Sequence, residues 1–210
     1  VADDNNNYYK ALYEVASSIN SALEPDKVLD SIAENVVRTM NVKGCSLILL
    51  SSDKKTLMHT ATYGLSDKYV HKGPLSADKS ITMALKGESV AVLDATRDDR
   101  VQYIKEKIEE GIISILSVPM KLRGEIIGVV RVYSSKKREF NEDDTYFVQA
   151  VANLGAIALE NARLYENIQK NYDDLRQEML EWRTSMAVTG TPRSMWFIRH
   201  SKDQVFPNRQ

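Results

Sequence analysis

Residues 114–135, SILSVPMKLRGEIIGVVRVYSS, decide the fold. Two runs rich in valine, isoleucine and leucine flank the polar turn LRGE, the pattern of an antiparallel β-hairpin. Successive side chains of a strand point to opposite faces. Alternation therefore places Ile127, Val129, Arg131 and Tyr133 on one face, and Ile126, Gly128, Val130 and Val132 on the other. On the preceding strand Leu116, Val118 and Met120 share a face, opposite Ile113, Ile115 and Ser117. The uniformly apolar faces suit a covering layer of helices. The second face carries Ser117, Arg131 and Tyr133, an odd set for a sheet interior.

Working outward, the chain alternates helical and extended signals. A first helix spans about 6–23, with Tyr9, Leu12, Ala16, Ile19 and Leu23 as its apolar stripe. Pro25 opens a second, reaching about Met40 and burying Val28, Leu29, Ile32, Val36 and Val37. CSLILLS (45–51) and TLMHTATY (56–63) form another hairpin. The loop 64–79 is too long for a plain connection. A short helix ADKSITMALKG, a brief strand SVAVLD (89–94) and a charged helix VQYIKEKIEEG come next, with Gly87 and Gly111 as helix stops. Asp98 or Asp99 is the expected cap of the charged helix. Asn141 caps the last helix, whose first turn carries Glu142, Asp143 and Asp144. This order makes an α+β domain with one antiparallel sheet of about five strands.

Composition limits the function classes. The chain has 28 basic and 29 acidic residues, so it carries no global field for nucleic acid or an anionic membrane. No apolar run approaches the roughly 18 residues that span a bilayer, and no signal peptide opens the chain. One cysteine, Cys45, makes no intrachain disulfide and fits a cytoplasmic setting. It opens an apolar strand as a small hydrophobe would. His59 and His71 match no metal-ligand spacing and read as ordinary packing or surface histidines. No nucleophile triad, P-loop or dinucleotide fingerprint is present, so neither catalysis, a metal nor a cofactor is expected.

Four segments in this order, KGCSLILLSSDKKTLMHTATYGL, ALKGESVAVLDATRDDR, SILSVPMKLRGEIIGVVRVYS and FNEDDTYFVQAVANLGAIALENARLYE, resemble the GAF family of small-molecule sensor domains over residues 8–166. The resemblance implies a PAS-like sheet of order 2-1-5-4-3. The first, second and last helices would cover one face, and a pocket would lie under the short helices and loops on the other. It further implies a signal-transduction module of bacterial type, with an output domain or partner signalling protein. Three specialised members are set aside. The helix where phytochrome-like members attach a bilin has no cysteine, no Asn-Lys dipeptide of the cyclic-nucleotide signature occurs, and one cysteine cannot run the thiol chemistry of the methionine sulfoxide reductases.

Arg131 is the residue that such a pocket must explain. A buried guanidinium cannot lose its proton, so it needs an internal carboxylate, with Asp94 the best placed, or an acidic group on a ligand. The ligand reading takes an unidentified small anion on Arg131. Ser117 and Tyr133 supply hydroxyls; Ile115, Asp94 and Tyr103 lie around it, and Arg97 and Arg100 sit at the mouth. Ser117 and Tyr133 match positions that line the chromophore site of the phytochrome-like relatives.

From Phe147 the last helix carries Val151, Leu154, Ala158, Asn161, Tyr165, Ile168, Tyr172, Leu175, Met179 and Trp182 at alternating spacings of four and three. That is the 3.5-residue repeat of a coiled-coil seam. Residues 167–186 are therefore expected to be a signalling helix in a parallel homodimer. Ile168, Tyr172, Leu175, Met179 and Trp182 would meet their copies, and Leu12 and Ile19 would join the bundle. The tail 187–210 reads as irregular, and VTGTPRSMWF has a faint likeness to the opening of diguanylate cyclase domains, with Met186 at the usual aspartate. Two alternatives stand beside the sensor reading: a dimerisation module with a vestigial pocket, and a fragment of a diguanylate cyclase-type signalling protein.

Overall fold

The structure, a computed structural model, describes residues 2–21, 25–51, 54–73, 75–76 and 82–189. In chain order the elements are α1 (Ala2–Ser21), α2 (Pro25–Met40), β1 (Gly44–Leu50), β2 (Thr56–Tyr63), α3 (Asp67–Val70), β3 (Leu75–Ser76), α4 (Thr82–Leu85), β4 (Val90–Val92), α5 (Ile104–Glu110), β5 (Ser114–Leu122), β6 (Glu125–Ser134) and α6 (Glu142–Thr189). The strands form one antiparallel sheet of order β3-β2-β1-β6-β5-β4. Without the two-residue edge strand β3 this is the expected 2-1-5-4-3 order. The loop expected over 64–79 holds α3 and β3, and Ser66 caps α3 through its side chain. Leu23 and residues 190–210, including most of the cyclase-like tail, lie outside the described residues. Residues 187–189, expected to be irregular, continue α6.

The central hairpin turns on Arg123 and Gly124, at φ +50° and +86°. Two left-handed residues in a two-residue connection match the twist of the flanking strands. The sheet departs from simple alternation at two bulges. Met120 pairs with Gly128 and Lys121 with Ile126, so Ile127 is extra. Leu47 pairs with Ala61 and Ile48 with His59, so Thr60 is extra. Each inserted residue reverses the facing of the strand beyond it. Ile127, expected beside Arg131, therefore packs with the helix-side core instead.

That core lies between the sheet and α1, α2 and α6. Cys45, Leu47, Ala61, Leu116, Val118, Met120, Val130 and Val132 supply the sheet side. Val28, Leu29, Ile32, Ala33, Val36 and Met40 come from α2, and Phe147, Val148, Val151, Ala152 and Ala156 from α6. Gly155 lets α6 approach closely, since a Cβ there would lie 3.3 Å from Leu47 Cδ2. Gly128 is obligatory, because a Cβ would lie 2.3 Å from the Ile48 carbonyl oxygen. On α1 the buried positions are Ala11 and Val15, with Tyr8, Leu12 and Ile19 packed against the core, while Tyr9 is exposed. The stripe is thus rotated from the expected one, and Leu12 and Ile19 serve their own domain.

One carboxylate ties the ends of this layer together. Asp144, 3% exposed, accepts from Tyr8 Oη at 2.6 Å, Arg138 Nη2 at 2.9 Å and Asn141 N at 3.2 Å. Asn141 Oδ1 accepts from Asp144 N at 2.8 Å, which completes a reciprocal cap at the start of α6. Arg138 Nη1 donates to the Met40 carbonyl at the end of α2, and Tyr8 stacks on Phe147 with ring centres 4.4 Å apart.

The chain divides into two units, Val1–Ala162 and Arg163–Gln210. In the second, every described side chain from Arg163 to Thr184 is exposed.

Candidate functional site

The other face of the sheet lies against α3, α4 and α5. Its polar residues come from the same alternation that fills the core. In β1, Cys45 and Leu47 face the helices, leaving Ser46 and Ile48 on this side; in β6, Val130 and Val132 leave Val129, Arg131 and Tyr133. Arg131 is 2% exposed and its Nε donates to Ser117 Oγ at 3.0 Å across the β5–β6 register. Ser117 therefore fixes the guanidinium plane. Tyr133 is fully buried two residues on, its ring edge-to-face with Tyr69 of α3 at 5.9 Å. Its hydroxyl makes no hydrogen bond of ordinary geometry among the described residues, although Ser46, Arg131 and Tyr69 lie close around it. A buried orphan hydroxyl is uncommon and calls for an explanation.

Two lysines converge on the same place. Lys72, just past α3, donates to the Tyr69 carbonyl at 2.8 Å, and its ammonium stands 3.5 Å from the centre of the Tyr69 ring. It also lies 3.2 Å from His59 Nε2, while His59 Nδ1 is 3.1 Å from Ser46 Oγ. Lys107 of α5 is fully buried, donates to the Gln102 carbonyl and lies 6.0 Å from the centre of the Tyr69 ring. Burial, reinforced by the Arg131 charge, pulls Lys72 down to about 8 against the partial compensation of Glu106 and Glu110. Burial, then Arg131 and Lys72, pull Lys107 down to about 7, with Glu106 opposing. Burial and the same cations hold His59 at about 3, so its imidazole is neutral. With Lys72 donating to Nε2, the His59 proton sits on Nδ1 and points to Ser46.

The residues expected around Arg131 divide. Ile115 is buried beside Tyr133 with Ala95, Val101 and Ile112. Tyr103 is half-buried on this side, caps α5 in a left-handed conformation (φ +61°), and has Lys72 Nζ 5.8 Å from its ring centre. The expected Arg131–Asp94 pair is not formed. Asp94 accepts from Thr96 N at 3.1 Å and Oγ1 at 2.6 Å, which spends its carboxylate on its own turn. Arg100 is exposed and bidentate on Asp98 at 2.9 and 2.5 Å, and Arg97 is exposed in the same turn. Asp98 closes that turn by accepting from Arg100 N, and the charged helix starts later than expected, capped by Tyr103. Sequence reasoning missed Lys72, Lys107, Tyr69 and the environment of His59. Cys45 is buried in the helix-side core, and burial pushes its thiol well above its ordinary range.

The fold and this two-faced sheet define a class, and comparison with known proteins agrees. The GAF domain family model matches residues 22–160. This chain belongs to the GAF domain family, whose members are generally regulatory sensor domains of signalling proteins. The formate hydrogenlyase transcriptional activator FhlA of Escherichia coli (strain K12) is 20% identical over 82% of this chain and 26% of its own length. The dual 3',5'-cyclic-AMP and -GMP phosphodiesterase 11A of Takifugu rubripes is 29% identical over 78% of this chain and 20% of its own. The solved GAF domain of a phosphoenolpyruvate-protein phosphotransferase from Coxiella burnetii superposes with a TM-score of 0.70 at 21% identity, covering 78% of this chain and 98% of that one. The chain thus spans about a quarter or less of those two curated relatives. Among the described residues no helix is long and apolar enough to cross a membrane, and no group of acidic, histidine and cysteine side chains could hold a metal.

Proposed function

We propose that this chain is a non-catalytic, cytoplasmic sensor module that binds a small anion against the sheet face carrying Arg131. The observation that carries the reading is the buried guanidinium oriented by Ser117 beside the orphan Tyr133 hydroxyl. A permanently charged, oriented donor fork is suited to a carboxylate or phosphate, and a free hydroxyl adds a further donor. Arg97 and Arg100 are given no direct role, since they are exposed and Arg100 is held by Asp98. The test is a thermal-shift screen of small acids on the wild type and Arg131→Met. An acid that raises the melting midpoint of the wild type and not of the variant supports the reading. Stabilisation that persists unchanged in the variant, or no stabilisation by any acid, sinks it.

The exposed seam on α6 favours a second element, homodimerisation. Tyr165, Ile168, Tyr172, Leu175, Met179 and Trp182 are each more than half exposed and recur at coiled-coil spacing. A parallel pair of these helices would bury them and link the sensor to an output domain or partner signalling protein. Sedimentation at tens of micromolar is expected to give a dimer that Ile168→Asp with Leu175→Asp converts to a monomer. A wild-type monomer, or a dimer indifferent to the double substitution, overturns it.

A further inference from the structure

We propose that the ligand is a compact dianion, a small dicarboxylate or a phosphate, one end on Arg131 and the other on Lys72 and Lys107. This rests on the anion reading above and goes further, because it assigns the number of charges and two residues that no sequence signal singled out. Lys72 and Lys107 come from segments far apart in the chain and stand over one ring, at 3.5 and 6.0 Å from its centre. That ring is Tyr69, and it packs on Tyr133 beside Arg131. Among the described residues neither lysine has a carboxylate within ion-pair distance. Each instead donates to a backbone carbonyl, and Lys72 is further steered by the neutral His59–Ser46 pair.

A buried ammonium without a counter-charge is held only where the surrounding structure forces it or a ligand repays it. Three cations crowded together, with Arg131 pulling down both lysines and Lys72 pulling down Lys107, are an unfavourable arrangement in the free protein, and two negative charges reverse it. The groups that face the two lysines are Arg131 from β6, His59 from β2, Tyr69 from α3, and Tyr103, Glu106 and Glu110 from α5 and its cap. Glu110 already holds Ser66 and Lys43, so its charge is shared elsewhere. At neutral pH the free protein holds Lys72 and Lys107 only partly protonated, since burial and Arg131 pull them to about 8 and about 7. A dianion would raise both, so binding takes up protons from solvent and weakens as pH climbs from 7 to 9.

The experiment compares inorganic phosphate, malonate and succinate with acetate, nitrate and chloride on the full chain at pH 7.5 and matched ionic strength. Melting midpoints are read first, and calorimetry in two buffers of different ionisation enthalpy then gives the protons taken up. At least one dianion is expected to stabilise the wild type by several degrees more than any monoanion, with net proton uptake. Lys107→Met and Lys72→Met are each expected to abolish that preference. Lys107→Met should also raise the midpoint of the free protein, which a lysine needed for folding would not do. If monoanions stabilise as well as dianions through Arg131, or if both lysine variants keep the preference, the dianion assignment falls while the anion reading stands. If no anion of either kind stabilises the wild type, both fall together.

Discussion

On the side of the sheet toward α1, α2 and α6, Cys45, Leu47, Leu116, Val130 and Val132 are apolar and sealed. On the side toward α3, α4 and α5, the residues that alternate with them, Ser46, Ser117, Arg131 and Tyr133, are equally buried and polar. Degree of burial is the same on the two faces; what differs is that the second buries a guanidinium and hydroxyls, Arg131 on Ser117, Ser46 on His59 and the Tyr133 hydroxyl with no hydrogen bond among the described residues. Packing stabilises the first face in the free protein. The second carries a charge-rich surface whose cost is offset elsewhere in the fold, the usual arrangement at a functional site. Truncation should therefore change sign from one face to the other.

The largest effect belongs to the dry face. Leu47→Ala removes a fully buried side chain that touches α6 opposite Gly155, and is expected to lower unfolding stability by about 3 kcal/mol in urea titration. A loss below about 1 kcal/mol would show that α6 collapses onto the gap, and the two faces would then differ less than the contrast requires.

The next effect is in pH. Lys107 binds its proton more weakly in the folded chain, at about 7, than in the unfolded chain, near 10.5. Between these values the unfolded state holds more protons, so folding stability rises with pH. From pH 7 to 8 Lys107 contributes a slope of about 1 kcal/mol per unit, with Lys72 adding in the same direction; above pH 8 the Cys45 thiol, kept protonated by burial in the fold, ionises in the unfolded chain and opposes them. His59 acts at the acid end. Its folded value of about 3 against 6.5 unfolded removes stability as pH falls through that interval. A flat profile from pH 7 to 8 in the wild type would mean that Lys107 keeps its proton in the folded chain, its ammonium matched by a counter-charge.

The smallest effect is the most diagnostic. Tyr133→Phe deletes the orphan hydroxyl and keeps the ring on Tyr69, so the free protein is expected to gain about 1 kcal/mol. Destabilisation of that size instead would place a hydrogen bond on the hydroxyl.

Much of this contrast was legible in the sequence. The hairpin 114–135 gave its own turn, and alternation sorted Val130 and Val132 from Arg131 and Tyr133 correctly. It failed at Ile127, because a bulge is set by how two strands meet and leaves no mark in either strand alone. His59 escaped for the same reason, one residue from the bulge at Thr60. Lys107 escaped for another. In IKEKIEE the isoleucines Ile104 and Ile108 are spaced as a buried pair, yet Ile108 is 57% exposed and Lys107 fully buried. Two turns of helix cannot fix their own rotation, and the packed neighbours chose the other phase. Asp94 was placed near Arg131 on strand order alone, which cannot see that Thr96 claims the carboxylate first.

The Asp144 carboxylate also sets an order in time. Its bond to Tyr8 joins residues 136 apart in the chain, and the bond that Arg138 makes to Met40 spans 98. α1 packs on α2, its neighbour in the chain, while its tie to Asp144 waits for the strands and the start of α6. Closing so long a loop is unfavourable until intervening contacts have already brought the ends near. The Tyr8–Asp144 bond should therefore be among the last contacts of folding to form, after α1 has already met α2. A chain truncated before residue 144 would keep α1 against α2 and lack the bond that ties Tyr8 to the start of α6.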